Sequence, residues 1–379
     1  MQLGQRLFSR RMLIIPPKTT KIMPIMDTRI KKMAEMLVHY SVRAKPGEVV
    51  LIRGNELCKP LAIAVYEEVV KAGANPRLFI NFDETAELFY RHANPEQLKF
   101  FPEITYFEAK NINCLISIIS PTNLKSLSHV EPAKTVARAR VLKPINETIM
   151  GKVRWVIVNY PCPALAQEAE MSLSEFENFV YSACLQDWPK RIKVMTRIAK
   201  YLERGDQVLI QGRETDLKLR IKGRKFIIGR GDFNMPDGEI FTGPVEDSAE
   251  GKIFYEFPAI HGSREVSGVR LWFEKGKVVK ATADKNQEYL RTMLDSDPGA
   301  RRIGELGIGL NYQIKIFCKD ILFDEKIGGT IHLALGRSYP ETGGKNQSAI
   351  HWDMIKDLRK GGSLHLDGKL VAKNGKYLI

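Results

Sequence analysis

Cysteine is scarce in this sequence. There are five among 379 residues (Cys58, Cys114, Cys162, Cys184 and Cys318), odd in number, scattered, and without a C-x-x-C pair. That excludes a disulfide framework and a thiolate zinc knuckle, and it points to a reducing, cytoplasmic setting. No apolar run approaches the roughly 20 residues that cross a bilayer, so no transmembrane helix is expected. G-x-S-x-G and H-E-x-x-H are both missing. Gly304, Gly307 and Gly309 do not keep the order of a dinucleotide loop. Repeats and low-complexity tracts are absent too. The net charge of +14 invites an anionic partner. Lys and Arg are interleaved with acids nearly everywhere, however, and no RNP, KH or helix-turn-helix pattern occurs, so nucleic acid is not the expected partner. The first 26 residues hold Arg6, Arg10, Arg11, Lys18 and Lys21 and no acid. Such a leader resembles a transit peptide; because Met23 and Met26 precede the first helical pattern, a basic, disordered extension behind an upstream start is the preferred reading.

What is present is the texture of a globular protein, with 44% hydrophobic and 27% charged residues in a chain long enough for two domains. From Thr28 the apolar spacing predicts a helix that ends before Pro46-Gly47. A strand E-V-V-L-I-R-G, a helix from Leu61 to Lys71 and a strand P-R-L-F-I-N follow, which together are a βαβ unit and imply a parallel sheet. The runs at 113–120 and 154–161 read as further buried strands. Helices are expected from Ser172 to Cys184, with a Ser172–Glu175 capping box, and from Pro189 to Leu202. After Gly205 short strands alternate with glycine turns, and Asp367-Gly368 and Asn374-Gly375 are strong hairpin signals. The expected fold class is therefore α/β: an N-terminal α/β domain with a mainly parallel sheet (27–195), then a strand-rich α+β C-terminal domain (196–379). The boundary is placed near 190–205, and 1–26 stands as the extension.

Chemistry concentrates between Thr330 and Ile355. His332 sits in an apolar alternating run that predicts a strand. His351 and Asp353 stand two apart in a second run, so a strand would send both from one face, an imidazole and a carboxylate aimed at one point. That donor pair suits a borderline divalent metal. The intervening Y-P-E-T-G-G-K-N is a loop that offers Tyr339. Two carboxylates elsewhere are unusual. Glu239 follows a Pro-Asp-Gly turn and opens an apolar run. Glu305 is embedded among Ile303, Leu306 and Ile308, where a carboxylate is costly unless paired or metal-bound. Taken singly, each residue has an ordinary structural explanation: a core histidine on a backbone carbonyl, a packed tyrosine, an acid beside a turn. The second H-x-D, His365 and Asp367, falls on a hairpin turn and reads as structural.

Four blocks in order are what ordinary packing does not predict: N-M-P-D-G-E-I-F-T-G-P-V-E-D-S-A-E-G, I-G-E-L-G-I-G-L-N, H-L-A-L-G-R-S-Y-P-E-T-G-G and N-Q-S-A-I-H-W-D-M-I. Together they resemble the M29 family of metallo-aminopeptidases, the aminopeptidase T and aminopeptidase S type, which is leucyl aminopeptidase-like. The likeness extends upstream through K-P-G-E-V-V-L-I-R-G to about residue 27. The resemblance implies hydrolysis of N-terminal residues from peptides at a centre of two divalent ions (zinc, cobalt or manganese). Its metal ligands would be Glu239, Glu305, His332, His351 and Asp353, with Tyr339 at or beside the metals. It also implies a homodimer. Glu305 is expected to bridge the ions, Tyr339 to donate to the oxyanion, and Glu341 to be a carrier of the leaving-group proton. The rival readings are a catalytically inactive metal- or peptide-binding protein of the same fold and a basic nucleic-acid-associated protein.

Overall fold

The computed structural model describes residues 27–379 apart from residue 263, so the basic extension at 1–26 lies outside the described residues. The first half is a parallel sheet in the spatial order Asn75–Asn81, Val49–Asn55, Cys114–Ile119, Arg154–Asn159, Asn234–Met235. Its three central strands are largely apolar runs because both faces are covered, whereas the edge strand Asn75–Asn81 is mostly exposed. Val50, Ile52, Ile116 and Ile118 pack into one core with the helices Thr28–Glu35, Lys59–Lys71 and Leu173–Cys184. Leu51 and Leu115 point the other way, onto Ile112 and Val153. Ser172 caps its helix in the predicted capping box with Glu175.

One long helix had no counterpart among the predicted elements. Pro132–Lys152 is basic, carries Pro144 inside, and buries only Ile145. With one buried side chain in 21 residues there is no apolar stripe for a periodicity argument to find.

The second half is built mainly of two antiparallel sheets sharing one hydrophobic core, with a two-stranded ribbon of Ala259–His261 and Arg264–Val266 in addition. The larger has eight strands, including Gln207–Gly212, Thr215–Arg220 and the C-terminal hairpins. Both hairpin turns are as the sequence requires: Asp367-Gly368 and Asn374-Gly375 each hold two successive residues at positive φ. The smaller sheet runs His351–Asp357, Thr330–Gly336, Ile303–Gly309, Glu239–Thr242, Ile227–Ile228. One of its faces is mainly apolar: Ile240, Leu306, Ile308, Ile331, Leu333, Leu335, Trp352 and Met354 enter the shared core, with Thr242 and Lys356 buried beside them. The segment from Leu310 to Gly329 leaves this sheet and plugs into the first core through Ile314, Cys318, Phe323 and Ile327. Asn159, at the end of a parallel strand, donates to Asp320 in the same segment. That plug closes over the sheet's other face.

Candidate metal centre

On that other face the strand register places the polar residues. Glu305, Ala334 and Asp353 stand side by side on three neighbouring strands, and one step along so do Gly307, His332 and Ile355. Glu239 opens its strand opposite Gly309. Side-chain alternation thus gathers acids and imidazoles on one side and the hydrophobic set on the other. The small residues between them make the room. A Cβ on Gly307 would lie 1.9 Å from Cε1 and Nε2 of His332, so the imidazole lies directly over that glycine.

The five side chains singled out as ligands meet here as two linked groups. His332 Nε2 is 3.1 Å from Glu305 Oε1 and 3.4 Å from Glu239 Oε2. His351 Nε2 is 3.4 Å from Glu305 Oε2 and 3.5 Å from Asp353 Oδ1. Glu305 therefore turns one oxygen to each imidazole. Tyr339 packs its ring against His351, with centroids 5.1 Å apart, and against Phe241. Glu341 is exposed on the short turn Pro340–Thr342.

A fourth carboxylate of the site was not marked by the sequence. Glu325 joins Glu239 and His332, one oxygen or nitrogen of each lying within 4.8 Å of the others; Glu305, His351 and Asp353 form the second such group. In the sequence Glu325 sits in F-D-E-K, where a carboxylate between an acid and a lysine reads as solvent-facing. Only the plug, buried through Phe323 and Ile327, turns it inward.

Hydrogen bonds fix which ring nitrogen faces the basin. His332 Nδ1 donates to the Glu325 carbonyl (3.1 Å) and His351 Nδ1 donates to the Arg337 carbonyl (2.8 Å). Each leaves Nε2 as the lone-pair atom, the arrangement by which proteins orient metal-binding imidazoles. Electrostatics points the same way. Among the described residues, Glu239, Glu305, Glu325 and Asp353 are only partly offset by one ammonium, Lys326, fully buried, ion-paired to Glu325 and 3.4 Å from Glu239. Burial drives the Glu239 and Glu305 carboxyls above the usual range. Burial opposes charge on His332 as well, yet Glu305 and Glu239 outweigh it and lift the imidazole to about 10. Asp353 and Glu305 likewise overcome burial to raise His351 to about 9. The same acids that favour a positive charge on each imidazole would favour a cation held between them. Glu239 Oε2 and Asp353 Oδ1 are buried with no hydrogen-bond partner, which is costly unless something else coordinates them. An N/O donor set without sulfur fits a catalytic divalent site rather than a closed structural one, so the residues present fit divalent metal. Burial, and then the charges of Glu305 and Asp353, push the Tyr339 phenol well above its ordinary value, so its proton stays on.

Comparison with known proteins gives the context. The pattern that describes the thermophilic metalloproteases, M29, matches residues 26–377. Aminopeptidase 2 of Geobacillus stearothermophilus is 26% identical over 405 residues, covering 92% of this chain and 95% of that protein. Wild-type AmpT from Thermus thermophilus superposes with a TM-score of 0.84 at 24% identity, over 93% of this chain and 99% of that one. A 2,5-dihydroxypyridine dioxygenase from Pseudomonas putida gives 0.58 at 16% identity, over 94% and 98%. Both superpositions speak to the fold, and a fold shared with a dioxygenase leaves the reaction to be argued from the site.

Proposed function

This chain belongs to the M29 family of thermophilic metalloproteases, and from that premise we propose that it is an aminopeptidase working with two divalent ions, zinc, cobalt or manganese. The observation that carries the reading is Glu305, whose two oxygens face the two imidazoles of separate ligand groups. Glu239, Glu325 and His332 would hold one ion, His351 and Asp353 the other, and Glu305 would be shared. When bound, such ions activate water near neutral pH and polarise a carbonyl.

The chain's own residues do the rest. The Glu325 and Arg337 carbonyls keep His332 and His351 in the tautomer that presents Nε2. Lys326 offsets part of the negative charge of Glu239 and Glu325 and holds both carboxylates in place. Tyr339 keeps its proton and stands against His351 at the edge of the basin, where it donates to the oxygen that becomes negative when the scissile carbonyl is attacked. The carboxylate-rich basin favours a substrate's positively charged α-amine, which supports selection for a free N-terminus.

The family resemblance also implies a homodimer in the cytoplasm. The exposed Ile63, Tyr66 and Val70 on the helix Lys59–Lys71 and the five buried free thiols are consistent with both parts of that reading. Among the described residues no helix is long and apolar enough to cross a membrane. The deciding experiment compares an aminoacyl-coumarin with its N-acetylated form, before and after chelation. Turnover of the free amine alone, lost on chelation and restored by zinc, cobalt or manganese, supports the reading. Metal binding without turnover would instead make the chain an inactive binding protein of this fold.

A further inference from the structure

The parallel sheet carries a second built site. Its spatial order, with the strand Val49–Asn55 between Asn75–Asn81 and Cys114–Ile119, makes the chain leave the sheet in opposite directions on either side of the first strand. In open α/β sheets ligands sit in the crevice outside the carboxyl ends of the strands at that switch. A cleft of about 160 Å³ occupies this place, lined by Arg53, Asn55, Asn81, Asp83, Ser117 and Ser120 among others. It has room for roughly ten times the space one water needs.

Its floor is held rigidly. Asn55, Ser117 and Ser120 are at most 5% exposed. Asn55 Nδ2 donates to Asp83 (3.1 Å) and to the Ser120 carbonyl (2.6 Å), and the Ser120 hydroxyl donates back to Asn55. Thr122 donates its N–H (2.7 Å) and its hydroxyl (3.0 Å) to Asp83. These bonds use three of the roughly four lone-pair positions of a carboxylate, leaving one for a ligand. Arg53 donates one bond, to Ser117 Oγ (3.1 Å), and the rest of its fork is free. Among the described residues neither Arg53 nor Asp83 makes an ion pair; Glu108, itself paired with Arg77, acts on Arg53 only at longer range, so a cation and an anion without contact partners line the same small cleft. A ligand complementary to both carries a carboxylate and an ammonium close together.

We propose that this crevice binds a free α-amino acid, with its carboxylate on Arg53 and its ammonium on Asp83. The inference rests on the aminopeptidase reading for its meaning, because such an enzyme releases one α-amino acid per cleavage; the crevice is then a product-sensing site in the domain that holds no metal ligand.

The test is calorimetric titration of L-leucine into the chelator-stripped full chain, with acetate and inorganic phosphate as comparators. Leucine is expected to bind at one site without metal, and Arg53→Gln and Asp83→Asn are each expected to weaken it about tenfold or more, the loss of one charge-assisted bond. Three results overturn the proposal: no leucine binding to the metal-free chain; loss with Arg53→Gln alone, or phosphate binding that Asp83→Asn tightens, either of which makes the cleft a bare anion site; and leucine binding untouched by both substitutions. Because no turnover is measured, absence of peptidase activity would sink the aminopeptidase reading while leaving this binding result standing.

Discussion

Gly307→Ala is the substitution whose consequence the geometry defines most closely. The added Cβ would lie 1.9 Å from Cε1 and Nε2 of His332 and 2.7 Å from Cδ2. Carbon atoms rest at about 3.5 Å or more, so the imidazole must retreat by about 1.5 Å. It has no slack: His332 is fully buried and its Nδ1 is tied to the Glu325 carbonyl. Moving the ring that far breaks this bond and carries Nε2 away from Glu305 and Glu239, well outside the ~0.2 Å tolerance of a metal ligand. Overpacking of this kind costs about 1–3 kcal/mol of stability. Displacing a ligand costs at least the roughly 10–100-fold in metal affinity lost when an outer partner is removed. Metal content after dialysis, competition with a chromophoric chelator and thermal unfolding of the metal-free chain measure the two effects separately. Gly151→Ala is the control: a Cβ there meets nothing within 4 Å, so it should leave metal binding alone. A Gly307→Ala protein that holds its ions at wild-type affinity would refute the placement of His332 as a ligand.

The remaining predictions are briefer. Tyr339→Phe should keep full metal content and lose about 10²–10³ in kcat, as for removal of an oxyanion donor; unchanged kcat would remove Tyr339 from the chemistry. Glu325→Gln should weaken one of two ions, whereas Glu341→Gln, on the exposed turn, should leave metal content intact; equal effects on metal content would contradict the grouping. Chelation should lower the melting temperature, since ion at a hundredfold excess over its Kd is worth about 2.7 kcal/mol to the folded state. Away from the site, the Lys356 side chain is fully buried and paired with Glu256 at 2.6 Å. Glu256→Ala leaves that ammonium with the Arg213 carbonyl but no counter-charge at contact and should cost about 3 kcal/mol, while Lys356→Met should cost less; denaturant unfolding that ranks them the other way would count against the burial argument.

How much of this was legible beforehand follows from which interactions are local. His351 and Asp353 could be paired from sequence because alternation along one strand is a two-residue rule. Glu239 was marked by its turn and Glu305 by apolar neighbours that a lone acid does not choose. The parallel strands Cys114–Ile119 and Arg154–Asn159 announced themselves as apolar runs, and Asn75–Asn81 was placed by the βαβ alternation. Their convergence was not legible: the alignment of Glu305, Ala334 and Asp353 is a matter of register among three strands separated by up to 48 residues, and only the four-block resemblance suggested it. Glu325 and Lys326 were hidden for a related reason. Their burial depends on a plug whose anchors, Phe323 and Ile327, pack on a core built by the other half of the chain. The helix Pro132–Lys152 escaped because its apolar residues form no single face, with Val136 and Met150 exposed and only Ile145 buried.

The central claim is that Glu305 sits between two ions. Crystals grown from chelated protein and soaked in manganese or zinc, with diffraction recorded at the metal's absorption edge, put it to the most direct trial. The account predicts two anomalous peaks, one among Glu239, Glu325 and His332 and one among His351 and Asp353, with a Glu305 oxygen turned to each. A single peak, or peaks away from Glu305, would contradict it.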